Sequence, residues 1–556
     1  MKDWNTLLPS RHVDTFTRDR LPPQAQWPLF VADRPELDYP DEFNCAVELV
    51  DRHVRAGHGG RTALHGVSDI DRHEGAFSWT YAELQDKTDR IAHVLVHEMG
   101  LVPGNRVLLR GGNSPMMAAC WLGAVKAGLV VVPTMPLLRA GELAAILEKA
   151  QVSAALCDSL LADELRHCMT AGHAHHAPGL RQLVEFRSTA PEGLEQRMQR
   201  HPTPFDAPPS SRDDVCLIAF TSGTTGQPKG TMHFHRDVLA MCDLFPRQIL
   251  QMDETDVVCG TPPIAFTFGL GGLLAFPLRF GASTVLLEKH TPETLLRTVQ
   301  TYRATQCYTA PTLYRQMAAL AKDFDLASLK HPVSAGEALP DATRQLWQQA
   351  TGTVMTDGIG GTEVIHIYIS SAGAQVRRGA IGQVVAGYQA QIVGDDMQPV
   401  PPGTVGRLAV RGPTGCKYLD DPRQQDYVKA GWNLPGDTFV MDADGYFSYQ
   451  ARNDDMIISA GYNIAGPEVE SALLQHPAVA ECGVVGMPDD ERGQIVQAFV
   501  VPKPGHSGDE ALARALQEHV KQTIAPFKYP RKVVFVDALP RTETGKLQRF
   551  KLRQIH

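Results

Sequence analysis

No Cys-x-x-Cys pair occurs in this sequence. Its ten cysteines are scattered, at positions such as Cys45, Cys120, Cys216 and Cys307. That spacing excludes a disulfide framework or zinc ribbon and points to reduced thiols packed in a core. No apolar run reaches the length of a membrane span, and residues 1–30 hold no continuous apolar core, so neither a membrane partner nor a secretory leader is expected. Positive charge is not in excess either. The formal net charge of −9 argues against general nucleic-acid binding. His173, His175 and His176 cluster without matching cysteines or acids, which reads as a surface loop rather than a metal site. A cytoplasmic location is the expectation these absences leave.

What is present is an ordinary globular composition, 43% hydrophobic and 21% charged, in a chain of 556 residues. That length calls for a large body with at least one smaller domain. Early in the chain, apolar runs at 106–110, 130–133 and 154–157 alternate with helical patterns at 114–126 and 140–150. This is a βαβαβ unit with a parallel sheet. Ser114-Pro115 supplies a helix cap and first turn. The pattern returns at 284–309, where Thr291-Pro292-Glu293 opens a helix. Short alternating runs at 389–393 and 407–410 mark a β-rich subdomain over about 380–450. Beyond 453 the texture is that of a separate α+β domain, with helices at 467–474 and 509–524 and strands at 482–485 and 494–501. The expected fold class is therefore α/β: an N-terminal body of stacked parallel sheets (1–453) and a small C-terminal α+β domain (454–556). From Pro526 onward, Lys528, Arg531, Lys532, Arg541, Lys546, Arg549, Lys551 and Arg553 outnumber Asp537 and Glu543, a local net of +6. Such a tail suits a phosphorylated substrate or a solvated basic face.

The chemistry-bearing stretch is Thr221-Ser222-Gly223-Thr224-Thr225-Gly226-Gln227-Pro228-Lys229-Gly230, which follows the apolar run 215–220. Glycines admit backbone N–H groups close to an anion, hydroxyls add donors, and Lys229 adds charge, so the loop is a candidate phosphate cradle. It is neither a Walker A loop, because Pro228 and Gly230 flank the lysine, nor a dinucleotide fingerprint. A polar surface loop is the plain alternative. Further on, Ser334-Ala335-Gly336-Glu337 forms a small-residue turn that suits a base. Asp357-Gly358-Ile359-Gly360-Gly361-Thr362-Glu363 sets a hydroxyl and a carboxylate after flexible glycines, and a carboxylate beside phosphates suits Mg2+. Asp437 suits ribose hydroxyls, Arg452 a phosphate, and Lys546 closes the Gly-hinged tail 540–546.

In this order, these segments resemble the adenylate-forming acyl-CoA synthetase (AMP-binding) superfamily, from about residue 40 to the end. The resemblance implies two half-reactions: a carboxylate attacks the α-phosphate of ATP, giving an acyl-adenylate and pyrophosphate, and the thiol of coenzyme A then displaces AMP. It implies that Thr221, Ser222, Gly223, Thr224, Thr225, Gly226 and Lys229 hold the β- and γ-phosphates, while Ala335, Gly336, Glu337, Asp357, Gly358 and Ile359 line the adenine. Thr362 contacts the α-phosphate, Glu363 binds Mg2+, Asp437 takes the ribose, Arg452 meets the ribose–phosphate side, and Lys546 bridges carboxylate and α-phosphate. A hinge at Asp454 lets the small domain rotate between half-reactions, bringing the loop at Gly461 and Tyr462 to the thiol channel. A homodimer, and an acetyltransferase and deacetylase acting on Lys546, are the partners this resemblance leaves open.

The acyl pocket of the superfamily corresponds to Pro263–Gly269 and the residues around Gly360. No acid occurs over 261–280, which disfavours amino-acid activation, and Phe266 and Phe268 suggest a short pocket. The run from Asp357 to Ile367 looks closest to the benzoate-CoA ligase branch, in which His366 and Ile367 face the aromatic ring with Gly360 opposite. Thr267 and Phe268 depart from the benzoate pattern, and the whole is more similar to 2-aminobenzoate-CoA ligases. There, Thr267 and His366 would meet an ortho amino group, since a buried amine needs an acceptor. Benzoate, another substituted benzoate or a short aliphatic acid is the alternative. Loading of a separate carrier protein and bare nucleotide binding are further readings.

Overall fold

The computed structural model describes residues 3–68, 70, 76–221, 228–452, 455–459, 462–489, 492–541 and 547–555, with Tyr462 and Asn463 described in backbone only. Two large sheets form the body. In the first, the strands run in the order 182–186, 154–158, 106–110, 130–134, 215–221, 229–234; all neighbours are parallel except the last pair. Every residue of 106–110, 130–134 and 154–158 is buried, as a sheet covered on both faces requires. The helix Pro115–Lys126 is buried along its whole length, and Ser114 Oγ caps it by accepting from Met117 N at 3.2 Å.

The second sheet has nine strands among the described residues, in the order 383–384, 367–371, 356–360, 331–335, 306–309, 257–260, 283–287, 62–67, 77–80. Its central strands are parallel, and antiparallel pairs close both ends. Thr356–Gly360 pairs with a neighbour on each side, so the glycines here are strand residues rather than the flexible linker expected from sequence. Pairing on both sides supplies the rigidity that glycine alone lacks. Gly358 and Gly360 serve packing instead: a Cβ would stand 2.7 Å from Ile367 Cδ1 at the first and 2.5 Å from the His366 carbonyl oxygen at the second.

A third, antiparallel sheet spans Gln389 to Arg452. The short strand Gln383–Val384 belongs to the nine-stranded sheet instead. The last sheet collects 457–459, 462–464, 479–489, 493–502 and 532–535, with helices Gly466–Leu473 and Glu510–Thr523 packed on it. Asp509 caps the second helix, accepting from Leu512 N at 2.9 Å. All ten cysteines are buried and free. Among the described residues, no helix is long and apolar enough to cross a membrane.

Candidate active site

Strands 215–221 and 229–234 form a hairpin with Thr221 opposite Lys229, so the sheet presents both ends of the hydroxyl-rich loop at one edge. Ser222, Gly223, Thr224, Thr225 and Gly226 lie outside the described residues, as do Asp454, Gly461 and Lys546 and the side chain of Tyr462. Thr221 Oγ1 is buried without a hydrogen-bond partner among the described residues. Lys229 Nζ donates to Tyr418 Oη at 3.0 Å and lies 3.5 Å from Glu363 Oε1.

Glu363 sits in the 3-10 turn Thr362–Val364. The turn ends at Ile365, a buried β-branched residue with φ of +71°. Such a residue is strained in that region and persists only where its surroundings hold it. The surroundings are specific. Thr414 Oγ1 donates to Val364 O at 2.8 Å, His233 Nε2 lies 2.8 Å from Thr362 O, and Tyr418 Oη donates to Glu363 Oε1 at 2.5 Å. Behind His233 stand Asp237 and Lys417, paired at 2.9 Å with fully buried side chains. Burial pushes the Asp237 carboxyl up, but Lys417, His233 and Arg236 outweigh it and hold the acid below its usual range. Burial, then Glu363, push the Tyr418 phenol up, so it remains a donor.

The remaining nucleotide candidates lie on, or directly follow, strands of the second and third sheets. Asp437 and Arg452 are opposite one another in the antiparallel sheet, with Nη1 3.5 Å from Oδ1. Ala335 ends a strand, and Gly336 follows at φ of +91°. Asp357 is buried, and burial raises its pKa to about 6 despite Arg344 and the Gly358 amide. Glu337 faces the C-terminal segment: Arg541 Nη1 lies 3.3 Å from its Oε1 and Leu547 N donates to the same oxygen at 3.1 Å.

His366 packs against Phe276 (4.5 Å between centroids), Phe268 (5.7 Å) and Phe245 (5.9 Å). Burial lowers its pKa to about 3, so the imidazole is neutral. Nε2 lies 3.3 Å from the Phe268 carbonyl oxygen, which assigns the proton to Nε2 and leaves Nδ1 as a buried acceptor without a partner among the described residues. Gly271 makes room for this ring, because a Cβ there would stand 2.4 Å from His366 Cδ2. Ile367 is buried and paired with Gly360, and Thr267 is buried at the start of a short helical turn. Phe266 is half-buried one residue before that turn. The structure thus gathers Phe268, Gly360, His366 and Ile367.

Sequence reasoning passed over Thr414, Lys417, Tyr418, His233 and Asp237. The one local signal was a lysine inside the otherwise apolar run Cys416-Lys417-Tyr418-Leu419, since a buried lysine needs an acid.

Two large α/β sheets, an antiparallel sheet and a small α+β unit, with Lys229 beside Glu363 and Asp437 beside Arg452, are the arrangement of an acid-activating ligase. Residues 50–417 match the AMP-binding enzyme model, and 468–546 match the AMP-binding enzyme C-terminal domain. A benzoate–CoA ligase of Thauera aromatica is 35% identical over 94% of this chain and 99% of its own. The crystal structure of the anthranilate CoA ligase AuaEII in complex with anthranoyl-AMP superposes with a TM-score of 0.86 at 33% identity, covering 94% of this chain and 98% of that one. A benzoate CoA ligase from Burkholderia xenovorans LB400 gives 0.81 at 30% identity over 92% of this chain and all of that one. The chain belongs to the AMP-binding enzyme family. Its activity is that of an AMP-forming acid–CoA ligase, working through an acyl-adenylate.

Proposed function

We propose that this ligase activates a small aromatic acid, 2-aminobenzoate, and transfers it to coenzyme A. The observation that carries the reading is His366: a neutral imidazole walled by three phenylalanines, with Nδ1 buried and unspent. An aromatic wall suits a flat ring, and an unpaired acceptor suits a ring amine. The solved anthranilate and benzoate ligases support the same branch. Benzoate is the alternative, because three phenylalanines offer an unsubstituted ring the same wall.

In the first half-reaction an oxygen of the substrate carboxylate bonds to the α-phosphorus as the bond to pyrophosphate breaks. Charge neutralisation and alignment dominate such a step. Thr221, Lys229 and the loop between them would cradle the β- and γ-phosphates. Thr362 would meet the α-phosphate, Asp437 and Arg452 the ribose side, and Ala335 to Glu337 with Asp357 to Ile359 the adenine. Glu363 and the Thr362 hydroxyl are hard oxygen donors, which fits magnesium; bound there, it would neutralise phosphate charge. Lys546 would stabilise the charge shared between carboxylate and α-phosphate. In the second half-reaction the thiol sulfur bonds to the acyl carbon and AMP leaves. The division 1–453 and 454–556, a hinge at Asp454 and a thiol channel beside Gly461 and Tyr462 complete this reading.

CoA-dependent AMP formation across 2-aminobenzoate, benzoate, fluorobenzoates, hydroxybenzoates, hexanoate and acetate tests it. Highest kcat/KM with 2-aminobenzoate supports the proposal; preference for an aliphatic acid sinks it. Lys546→Ala is expected to cut adenylation about 100-fold or more, the scale of losing one charge-stabilising group, while thioester formation from supplied acyl-adenylate persists. Equal loss of both halves would remove Lys546 from the first transition state.

A further inference from the structure

The loop 412–419 of the antiparallel sheet grips the Thr362–Val364 turn from both sides. Thr414 Oγ1 donates to Val364 O at 2.8 Å on one side. On the other, Lys417 Nζ holds Asp237 at 2.9 Å, Asp237 Oδ2 lies 3.7 Å from His233 Nδ1, and His233 Nε2 lies 2.8 Å from Thr362 O. Between them Tyr418, 1% exposed, sends its hydroxyl to Glu363 Oε1 at 2.5 Å and accepts from Lys229 Nζ at 3.0 Å.

We infer that Tyr418 is a positioning residue for adenylation: its hydroxyl fixes Glu363 and Lys229 relative to each other, so that a divalent cation and the triphosphate meet a preset carboxylate and ammonium. The argument is geometric. With Oε1 spent on the phenol, the rotation of the Glu363 carboxylate is defined, and Oε2 is left on the side of Gly361, 3.6 Å from where a Cβ of that residue would stand. A cation site needs its carboxylate oxygen held, and a single hydrogen bond to a rigid, buried phenol does that with little side-chain entropy left to lose. The same hydroxyl gives Lys229 an acceptor, so the lysine does not close fully onto Glu363, which is 3.5 Å away. The edge-on packing of the Tyr418 ring against Tyr427, with centroids 5.8 Å apart, keeps the phenol from turning aside. This inference rests on the reading of Glu363 and Lys229 as the cation and phosphate groups of the proposed reaction.

Tyr418→Phe deletes the hydroxyl and keeps the ring. Manganese serves as the probe: its binding to the full chain with a non-hydrolysable ATP analogue is read by electron paramagnetic resonance, in wild type, Tyr418→Phe, Glu363→Gln and the double variant. Manganese affinity is expected to fall about tenfold in Tyr418→Phe, and the double variant is expected to be little worse than Glu363→Gln alone. In kinetics, the adenylation kcat falls about tenfold and the magnesium requirement rises, while thioester formation from supplied acyl-adenylate stays within about twofold. Unchanged manganese affinity overturns the inference. So does an equal loss of both half-reactions with a lower thermal midpoint, which is the mark of a merely structural tyrosine. If wild type binds manganese and the analogue but adenylates no acid, the proposed function fails and the manganese comparison still decides the role of Tyr418.

Discussion

Nδ1 of His366 is the residue-scale feature with the plainest chemical consequence. A buried acceptor without a partner loses the hydration it would have in water, and a ligand that supplies an N–H recovers that loss. A site built this way discriminates against the analogue lacking the donor group. His366→Leu is therefore expected to lower the ratio of kcat/KM for 2-aminobenzoate over benzoate by about tenfold, with little change in the KM for ATP. A panel of the two acids against the variant checks this; an unchanged ratio would place the amine elsewhere in the pocket. Ile365, one residue earlier, shows how the backbone serves the site. Its φ of +71° separates Glu363 from His366 within a few residues of chain, so that in the proposed reaction one turn would serve both the nucleotide and the acid.

At the scale of elements, charges placed on different helices do the joining. Lys126, at the end of Pro115–Lys126, is buried and pairs with Asp51, which opens Asp51–Arg55, and with Asp89 of Tyr81–His93. Burial outweighs the lysine at Asp89 and holds that carboxyl above its usual range. Lys126→Met strands two acids in the core and is expected to cost about 3–5 kcal/mol, read from urea unfolding. Adding Asp89→Asn to it is expected to recover part of the loss, because one stranded acid is gone. The contact between the body and the C-terminal unit is also ionic. Arg541 bridges Glu337 and Glu481, and the Leu547 amide shares Glu337, so one carboxylate pins residues on both flanks of the 542–546 segment. Arg541→Ala is expected to slow adenylation about tenfold and to leave thioester formation from supplied acyl-adenylate near wild type. Assaying the half-reactions separately decides it; a matched loss in both would mean the arginine only stabilises the fold.

For the whole molecule, neutral histidines at buried or half-buried positions shape the acid limb of stability. His12, His53 and His366 are held at about 4, 4 and 3, against 6.5 for the free side chain, in each case first by burial. Below pH 6.5 the unfolded chain binds more protons at these sites, so their contribution is complete above that pH and is lost progressively as pH falls toward 4. Asp357 works the other way. Raised from 3.8 to about 6, it makes the folded chain the better proton binder between those values, and offsets one of the three histidines. The thermal midpoint is thus expected to fall as pH drops from 6.5 to 4.5, with net proton uptake on unfolding. Calorimetry in buffers of different ionisation enthalpy measures both; a flat midpoint over that range would mean that these histidines titrate as exposed groups.

Much of this architecture is legible along the chain. The buried runs at 106–110, 130–134 and 154–158 announce a parallel sheet because both of its faces are covered, and Ser114 and Thr291 announce helix starts because each side chain accepts from the first turn, while of Ser507 and Asp509, which both suit the start of the helix near 509–524, the structure uses Asp509. The family is legible for a related reason: its marks at 221–230, 357–363, 437, 452 and 546 are short local patterns in a set order. Local propensity by itself determined an α/β chain, and the family resemblance that those marks carry implied a ligase that activates acids with ATP. They did not reveal what holds those marks in place. Tyr418 meets Glu363 across 55 residues, His366 meets Phe268 across 98, His233 meets Thr362 across 129 and Arg541 meets Glu337 across 204. Side chains that far apart leave no periodicity to read. Only the folded chain brings them within hydrogen-bonding distance, and burial there then shifts their charge: a neutral imidazole at His366, an acid raised to about 6 at Asp357 and a phenol that stays protonated beside Glu363.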